Sequence, residues 1–207
     1  MSGTRICLIR HGETDWNVER RMQGHLDIAL NATGLAQAKG LAGMLEEHCF
    51  AAIYASDLSR ARQTAQAAAT MLQAQVLLLA ELRERNYGIF QSLTYEEARR
   101  RYPAAYRCFE ARDPDFVLSG GESLRAFAGR VTRCLTEIAT RHAEEEVLIV
   151  AHGGVLDIAR RAATGMSLAA TRDFTINNAA INWLEYSNGH WRVLSWGIAE
   201  AAALDEI

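Results

Sequence analysis

Residues 147–151, with the sequence VLIVA, most constrain the fold, because five consecutive apolar residues leave no polar face for solvent. Such a run is typical of a central parallel strand that is buried on both sides. Shorter apolar runs occur at 5–10, 51–55 and 76–79, separated by segments of helical periodicity at 33–47, 58–72, 123–141 and 154–163. This alternation predicts an α/β fold, a three-layer α/β/α sandwich whose central sheet is mostly parallel, with helices on both faces.

The segment near 85–121 has a different composition, because it is rich in arginine and aromatic residues and holds both prolines. Thr94 and Glu97 fit a capping box that begins a short helix. We interpret the segment as a helical and loop insertion that forms a lid. Asn188-Gly189 lies between two strand-like runs and indicates a hairpin. No linker or repeat interrupts the chain, so residues 1–207 are predicted to form one domain.

Composition and charge restrict the partners. The net charge is −3 and the pI about 6.1, without the basic excess of nucleic-acid binders. No apolar run approaches the roughly 20 residues that a membrane span needs. The four cysteines are scattered, with no C-x-x-C pair, and no signal peptide is visible at the start. We expect a cytoplasmic protein with a small-molecule ligand, no nucleic acid and no membrane contact, and a homodimer is compatible with the chain.

Two histidines follow predicted strands in the same way. His11 follows the first strand and precedes Gly12, and His152 follows the strongest strand and precedes Gly153. In open parallel sheets, ligands bind beyond the carboxyl ends of the strands. The glycines let the backbone approach a ligand, and the helix N-termini that follow offer N–H groups to an anion. The two histidines and Gly153 are therefore predicted to share one anion site.

The loops after the second and third strands add two charged candidates. Arg60 or Arg62 can enter the same space, and a solvated helix face suits Arg62 better. Ser56 or Asp57 is expected to cap the helix that carries them. Glu84 follows the third strand and is a candidate acid.

Together these residues suit phosphoryl transfer, which needs a nucleophile, cations around the phosphoryl oxygens and an acid for the leaving oxygen. A neutral imidazole at His11 is a good nucleophile near pH 7. Arg10, Arg60 and His152 can neutralise the charge that develops on the phosphoryl group, and Glu84 can protonate the leaving oxygen.

The ordered motifs of the chain also resemble one family. They are Arg10-His11-Gly12-Glu13-Thr14 with Asn17, Gln23-Gly24, Leu30-Asn31 with Gly34, Ser56 to Thr64, Leu82 with Glu84 and Gly88, Gly120-Gly121-Glu122-Ser123, and Ala151-His152-Gly153-Gly154. This set, from Ile9 to about Gly197, resembles branch 1 of the histidine phosphatase superfamily, which includes cofactor-dependent phosphoglycerate mutases and small broad-specificity phosphatases.

The resemblance implies a role for each motif. His11 would carry a phosphohistidine, and Glu84 would donate the proton to the leaving group. The phosphate pocket would be lined by Arg10, Arg60, His152, Asn17 and the backbone near Gln23 and Gly24. No metal and no cofactor is required. The protein is therefore predicted to be a phosphatase that hydrolyses small-molecule phosphomonoesters.

A mutase that depends on 2,3-bisphosphoglycerate is the nearest alternative. The chain is shorter than the mutases, and Tyr95 stands where they have a lysine eleven positions beyond the acid. Their paired arginines have no clear counterpart around residues 106–108, although the arginines at 99–101 leave this point open. These differences favour a phosphatase.

Two further alternatives belong to other classes. One is a non-catalytic phosphate-binding module, which the presence of His11, Arg60 and His152 disfavours. The other is a metal site formed by His11, His25 and His152, where the neighbouring arginines would repel the metal ion.

The sequence does not identify the substrate. Tyr87, Tyr95 and other aromatics of the insertion would favour a partly apolar substrate if they line the pocket, and α-ribazole phosphate, sugar phosphates and phosphoglycerates all remain candidates.

Overall fold

A computed structural model describes residues 3–199. Its sheet has the strand order β3-β2-β4-β1-β5-β6. The strands are β1 (Thr4–Arg10), β2 (Ala52–Ser56), β3 (Val76–Leu79), β4 (Glu146–Ala151), β5 (Ile181–Ser187) and β6 (His190–Ile198). Neighbouring strands in the series β3-β2-β4-β1 pair in parallel. Strand β5 pairs with β1 in the antiparallel direction, and β6 pairs with β5 in the same way to form a hairpin. Residues 147–151 are fully buried between β2 and β1, which confirms the predicted central strand.

Seven helices occur among residues 3–199. They are α1 (Asp15–Val18), α2 (Ala32–Met44), α3 (Ser59–Met71), α4 (Tyr95–Arg101), α5 (Pro103–Glu110), α6 (Leu124–Arg141) and α7 (Gly153–Thr164). The alternation of side chains along β1 divides the core in two. Ile6 and Leu8 belong to the cluster that contains residues of α6 and α7, and Cys7 and Ile9 to the cluster that contains residues of α2 and α3. The predicted sandwich with helices on both faces of a mostly parallel sheet is confirmed.

One capping prediction is right and another is wrong. Thr94 and Glu97 form the predicted capping box at the start of α4. Neither Ser56 nor Asp57 caps α3, because that helix begins at Ser59 and its N-cap residue is Leu58, without a side-chain hydrogen bond. Asp57 instead accepts a hydrogen bond of 2.7 Å from Nε of Arg83.

The region 85–121 contains α4, α5 and a 3₁₀ turn at Gly88–Phe90, which confirms a helical and loop insertion. It packs on a small apolar cluster of its own, formed by Met22, Phe90, Leu93, Ala98, Tyr106 and Leu118. The single domain 1–207 stays a prediction, and residues 1–2 and 200–207 lie outside the described part. No helix within residues 3–199 is long and apolar enough to cross a membrane.

Candidate active site

The two histidines meet because their strands are neighbours. Arg10 at the end of β1 is paired with Ala151 at the end of β4, so His11 and His152 leave the sheet side by side. The centroids of their rings lie 5.2 Å apart, edge to face. Both side chains are buried, with His11 3% exposed and His152 fully covered. The prediction that both strand ends contribute to one site therefore agrees with the geometry.

Hydrogen bonds fix the orientation of the His11 imidazole. Its Nδ1 lies 2.7 Å from the carbonyl oxygen of Gly12, and since a carbonyl only accepts, Nδ1 carries the proton. The loop itself is held by Asn178, whose Nδ2 donates to the His11 carbonyl at 2.8 Å, and by Thr64, whose Oγ1 accepts from the Gly12 N–H at 3.0 Å. Nε2 therefore keeps its lone pair, on a ring that lines a cavity.

Two arginines, the half-buried Arg10 and the buried Arg60, face the same space, and each leaves some of its N–H donors without an acceptor. Arg10 donates from Nη1 to the carbonyl of Ile176 at 2.8 Å. Arg60 is 1% exposed and donates from Nη2 to the carbonyl of Gly24 at 2.8 Å and from Nη1 to that of Leu26 at 2.9 Å. The Nε atoms of both arginines are buried without a partner among the described residues. Buried donors of this kind require an acceptor, and a bound oxyanion would supply it.

The cations and the burial keep both imidazoles neutral. Burial, and then the charges of Arg60 and Arg10, lower the pKa of His11 well below its usual value. Burial also lowers the pKa of His152 well below its usual value, and the charge of Arg60 is again the next largest cause. Burial also lowers the pKa of Arg60 to about 10, which leaves it charged at pH 7. The site is therefore a positively charged pocket around two neutral imidazoles.

Glu84 lies on the loop after β3, and its side chain lines the same cavity as His11. Its Oε2 accepts a hydrogen bond of 2.9 Å from the backbone N–H of Gly154, in the first turn of α7. Its Oε1 accepts one of 2.7 Å from the N–H of Arg85. The carboxylate is thus held by backbone N–H groups of α7 and of its own loop.

A cavity of about 100 Å³ lies between these groups. The predicted site residues that line it are Arg10, His11, Asn17, Gln23, Gly24, Arg60, Glu84 and Gly153, and they are joined by Arg21, Met22, Tyr87 and Tyr95. The structure thus brings together all the predicted residues, with one difference. His152 does not line the cavity, and its ring packs against that of His11. The volume suits a phosphoryl group.

A second cavity, of about 630 Å³, adjoins the first. Both are bordered by Arg10, Glu84, Tyr87, Tyr95 and Gly153, so Glu84 lies on the boundary between them. The larger cavity extends under the insertion, where Tyr106 and Phe109 line it. Four of the predicted lid aromatics thus face this space, whereas Phe90 is fully buried in the small apolar cluster.

The metal site considered above is not formed. Nε2 of His25 lies 2.9 Å from the carbonyl oxygen of Glu84 and is engaged there. Among residues 3–199, no three side chains of His, Cys, Asp or Glu are grouped so that they could hold a metal ion.

Three supporting residues were not predicted from the sequence. Thr64 and Asn178 position the His11 loop, and Thr14 accepts a hydrogen bond of 2.8 Å from Nε2 of Gln23. Thr64 lies one turn after Arg60 on α3, and this spacing is a signal for a shared face. Asn178 lies in a loop 167 residues from His11, and no local pattern distinguishes it.

Comparisons with known proteins agree with this geometry. A model of the histidine phosphatase superfamily (branch 1) matches residues 6–199. Phosphoglycerate mutase-like protein 4 of Arabidopsis thaliana is 39% identical, over 93% of this chain and 84% of that protein. The metal-independent phosphoserine phosphatase of the same plant is 37% identical, over 93% and 81%. Among solved structures, YhfR of Bacillus stearothermophilus has a TM-score of 0.88 at 32% identity, over 95% and 98% of the two chains.

Proposed function

Because the chain belongs to branch 1 of the histidine phosphatase superfamily, we propose that it is a phosphatase for small-molecule phosphomonoesters that acts through a phosphohistidine on His11. The observation that carries the proposal is the protonation state of this imidazole. The Gly12 carbonyl holds the proton on Nδ1, so Nε2 presents a lone pair to a pocket whose buried arginine donors lack an acceptor.

The first step then forms one bond and breaks one. Nε2 of His11 attacks phosphorus, and the ester P–O bond breaks with its electron pair on the leaving oxygen. The carboxyl group of Glu84 donates a proton to that oxygen, and the alcohol departs. Arg10 and Arg60 bind the phosphoryl oxygens, and so they supply the charge stabilisation that a metal ion provides in other phosphatases.

The second step restores the enzyme. Water attacks the phosphorus of phosphohistidine, the carboxylate of Glu84 takes a proton from this water, and the P–N bond breaks with its electron pair returning to Nε2. Orthophosphate leaves, and His11 and Glu84 regain their starting protonation states. The position of Glu84 between the two cavities supports both roles, because the leaving alcohol and the incoming water occupy the same side.

The deciding experiment is a metal-free assay on a panel of phosphomonoesters, with wild type and His11→Ala compared. We expect the variant to lose at least about 1,000-fold in kcat/KM, as for other nucleophiles. Rapid quenching of the wild type with a labelled ester should place the label on His11. The matched control is His190→Ala, at an exposed position of β6. Full activity in His11→Ala would contradict the proposal.

The role of Glu84 has a separate test, which compares leaving groups. Glu84→Gln should lose about 100-fold or more with alkyl phosphates, whose alcohols are poor leaving groups. In kcat/KM, which reports only the steps up to the departure of the leaving group, the loss with 4-nitrophenyl phosphate should be much smaller, because that leaving group needs no proton. Equal losses for both would mean that Glu84 is not the acid.

The same assay separates hydrolysis from mutase activity, since mutase-like names also occur among the relatives. Exchange between 2- and 3-phosphoglycerate faster than their hydrolysis would favour a mutase.

We further propose that the protein acts in the cytoplasm, in line with its free cysteines.

A further inference from the structure

The larger cavity has arginines on the wall that lies away from the phosphate pocket. Arg85, Arg112 and Arg172 line this cavity but not the smaller one, and we refer to them as the distal arginines. They come from three separate segments: the loop after β3, the end of the insertion and the loop after α7. Their side chains therefore converge on the space that the alcohol part of a substrate would occupy.

The carboxylates of the cavity are already engaged. Glu84 accepts two backbone hydrogen bonds, and Glu110 pairs with Arg99 at 2.8 Å. The third, Asp157, is shared by three arginines, with N–O distances of 2.8 Å to Arg112, 3.0 Å to Arg161 and 3.3 Å to Arg172. One carboxylate among three guanidinium groups leaves this wall positively charged.

Of the three distal arginines, Arg85 is the one whose guanidinium has no carboxylate partner among the described residues. It is only 7% exposed, and the one hydrogen bond of its side chain among the described residues runs from Nε to the carbonyl of Glu122 at 3.1 Å. It forms no ion pair there, and its guanidinium carbon lies 6.0 Å from the ring centroid of Phe109. A guanidinium that is more than nine-tenths buried, borders a cavity and lacks an anionic partner is a binding group for a planar anion.

We propose, on the basis of the phosphatase function above, that the distal arginines bind a second anionic group on the alcohol part of the substrate. The substrate class is then phosphomonoesters whose leaving group carries a carboxylate or a further phosphate. The phosphoryl group occupies the small cavity against His11, Glu84 protonates the bridging oxygen, and the second anion lies in the larger cavity against Arg85 and Arg172. The aromatic rings of Tyr106 and Phe109 contact the intervening carbons.

The test uses pairs of esters that differ in one charge. 3-Phosphoglycerate and glycerol 3-phosphate differ by a carboxylate, and fructose 1,6-bisphosphate and fructose 1-phosphate differ by a phosphate. Wild type should prefer the anionic member of at least one pair by about 10-fold to 100-fold in kcat/KM, the range of a charge-assisted hydrogen bond. The pair that shows the preference identifies the anion.

Variants assign the preference to the arginines. The side chain of Arg172 is 43% exposed, and Arg172→Gln should raise KM for the anionic member and leave KM for its neutral partner unchanged. Arg85→Gln should do the same more strongly, with partial recovery in Arg85→Lys. Arg133→Gln, an exposed position of α6, is the charge-matched control and should change neither substrate.

The outcomes separate this proposal from the proposed function. Hydrolysis of all four esters without a preference in either pair would overturn the anion site and leave the phosphatase intact. Equal losses for both members of a pair in Arg85→Gln and Arg172→Gln would also overturn it. If no ester is hydrolysed, whereas the fold is intact by circular dichroism, the phosphatase function fails, and the anion site with it.

Discussion

The backbone N–H of Gly154 donates a hydrogen bond of 2.9 Å to Oε2 of Glu84. This bond joins the first turn of α7, which directly follows His152, to the loop after β3, which carries the candidate acid. A Cβ atom at position 154 would lie 2.1 Å from Oε1 of Glu84, so only glycine allows the approach. The position of the acid therefore depends on a residue that has no reactive group.

Gly154→Ala should lower the activity in the same way as a substitution of Glu84 itself. The added methyl group displaces the carboxylate, and we expect a loss of about 100-fold in kcat/KM with alkyl phosphates but a small loss in kcat/KM with 4-nitrophenyl phosphate. Steady-state kinetics on both substrates measure this. The control is Gly43→Ala in α2, where no atom lies within 4 Å of the new Cβ, so activity should not change and stability should rise by about 1 kcal/mol. An unchanged kcat/KM in Gly154→Ala would show that the carboxylate position does not matter.

Orthophosphate should stabilise the protein against heat. The unsatisfied donors of Arg10 and Arg60 would gain acceptors on binding, and a ligand at 100 times its Kd adds about 2.7 kcal/mol. For a chain of this size, that corresponds to a rise in Tm of about 5–10 °C.

Differential scanning calorimetry with increasing phosphate measures the effect. Arg60→Lys should reduce it strongly, because a lysine cannot replace the planar guanidinium, whereas Arg133→Lys should retain it. A rise of equal size in all three proteins would point to binding outside the pocket.

The buried histidines should make stability depend on pH. The pKa of His11 and of His152 is lowered in the folded protein, and in the unfolded chain both return to about 6.5. Below pH 6.5 the unfolded state therefore binds more protons than the folded state, and the free energy of unfolding decreases as the pH falls.

Each histidine contributes up to about 1.4 kcal/mol per pH unit in this range. Urea unfolding between pH 5.5 and 7.5 measures the slope, which His152→Asn should reduce. His190→Asn, at an exposed position, should keep the wild-type slope. The same slope in His152→Asn as in wild type would show that His152 is not held neutral in the folded protein.

The sequence was sufficient to predict the sheet, its layers and the proximity of the candidate site residues, because each of these depends on a local pattern. Continuous apolar runs identify the buried strands, and the motif after each strand end places His11, Arg60, Glu84 and His152 at one edge. The chemistry of these residue types then restricts the reaction.

Contacts between distant segments could not be predicted in this way. Asp57 is near the start of α3, where a capping role is expected, but its ion pair with Arg83 depends on how β2 and β3 pack together. Asn178 reaches the His11 carbonyl only because the loop before β5 folds over β1. The distal arginines likewise come together through the packing of segments that are far apart in the sequence. The periodicity of the sequence does not predict this arrangement.

Asp157→Asn is the variant that tests how these distant segments are held together. Asp157 lies on α7 with a side chain that is 5% exposed, and it pairs with Arg112 of the insertion, Arg161 of its own helix and Arg172 of the following loop. An amide at this position cannot balance three guanidinium groups, and removal of one partner from a buried ion pair costs about 3–5 kcal/mol.

Urea unfolding at pH 7 should show this loss in Asp157→Asn. Asp115→Asn, which removes the acid of an exposed pair with Arg125, should leave the unfolding midpoint unchanged. Because Arg112 and Arg172 lose their common anchor, KM for anionic esters should also rise in Asp157→Asn, whereas kcat with 4-nitrophenyl phosphate should persist. A loss of kcat without a change in KM would instead place Asp157 among the groups that support His152 and α7.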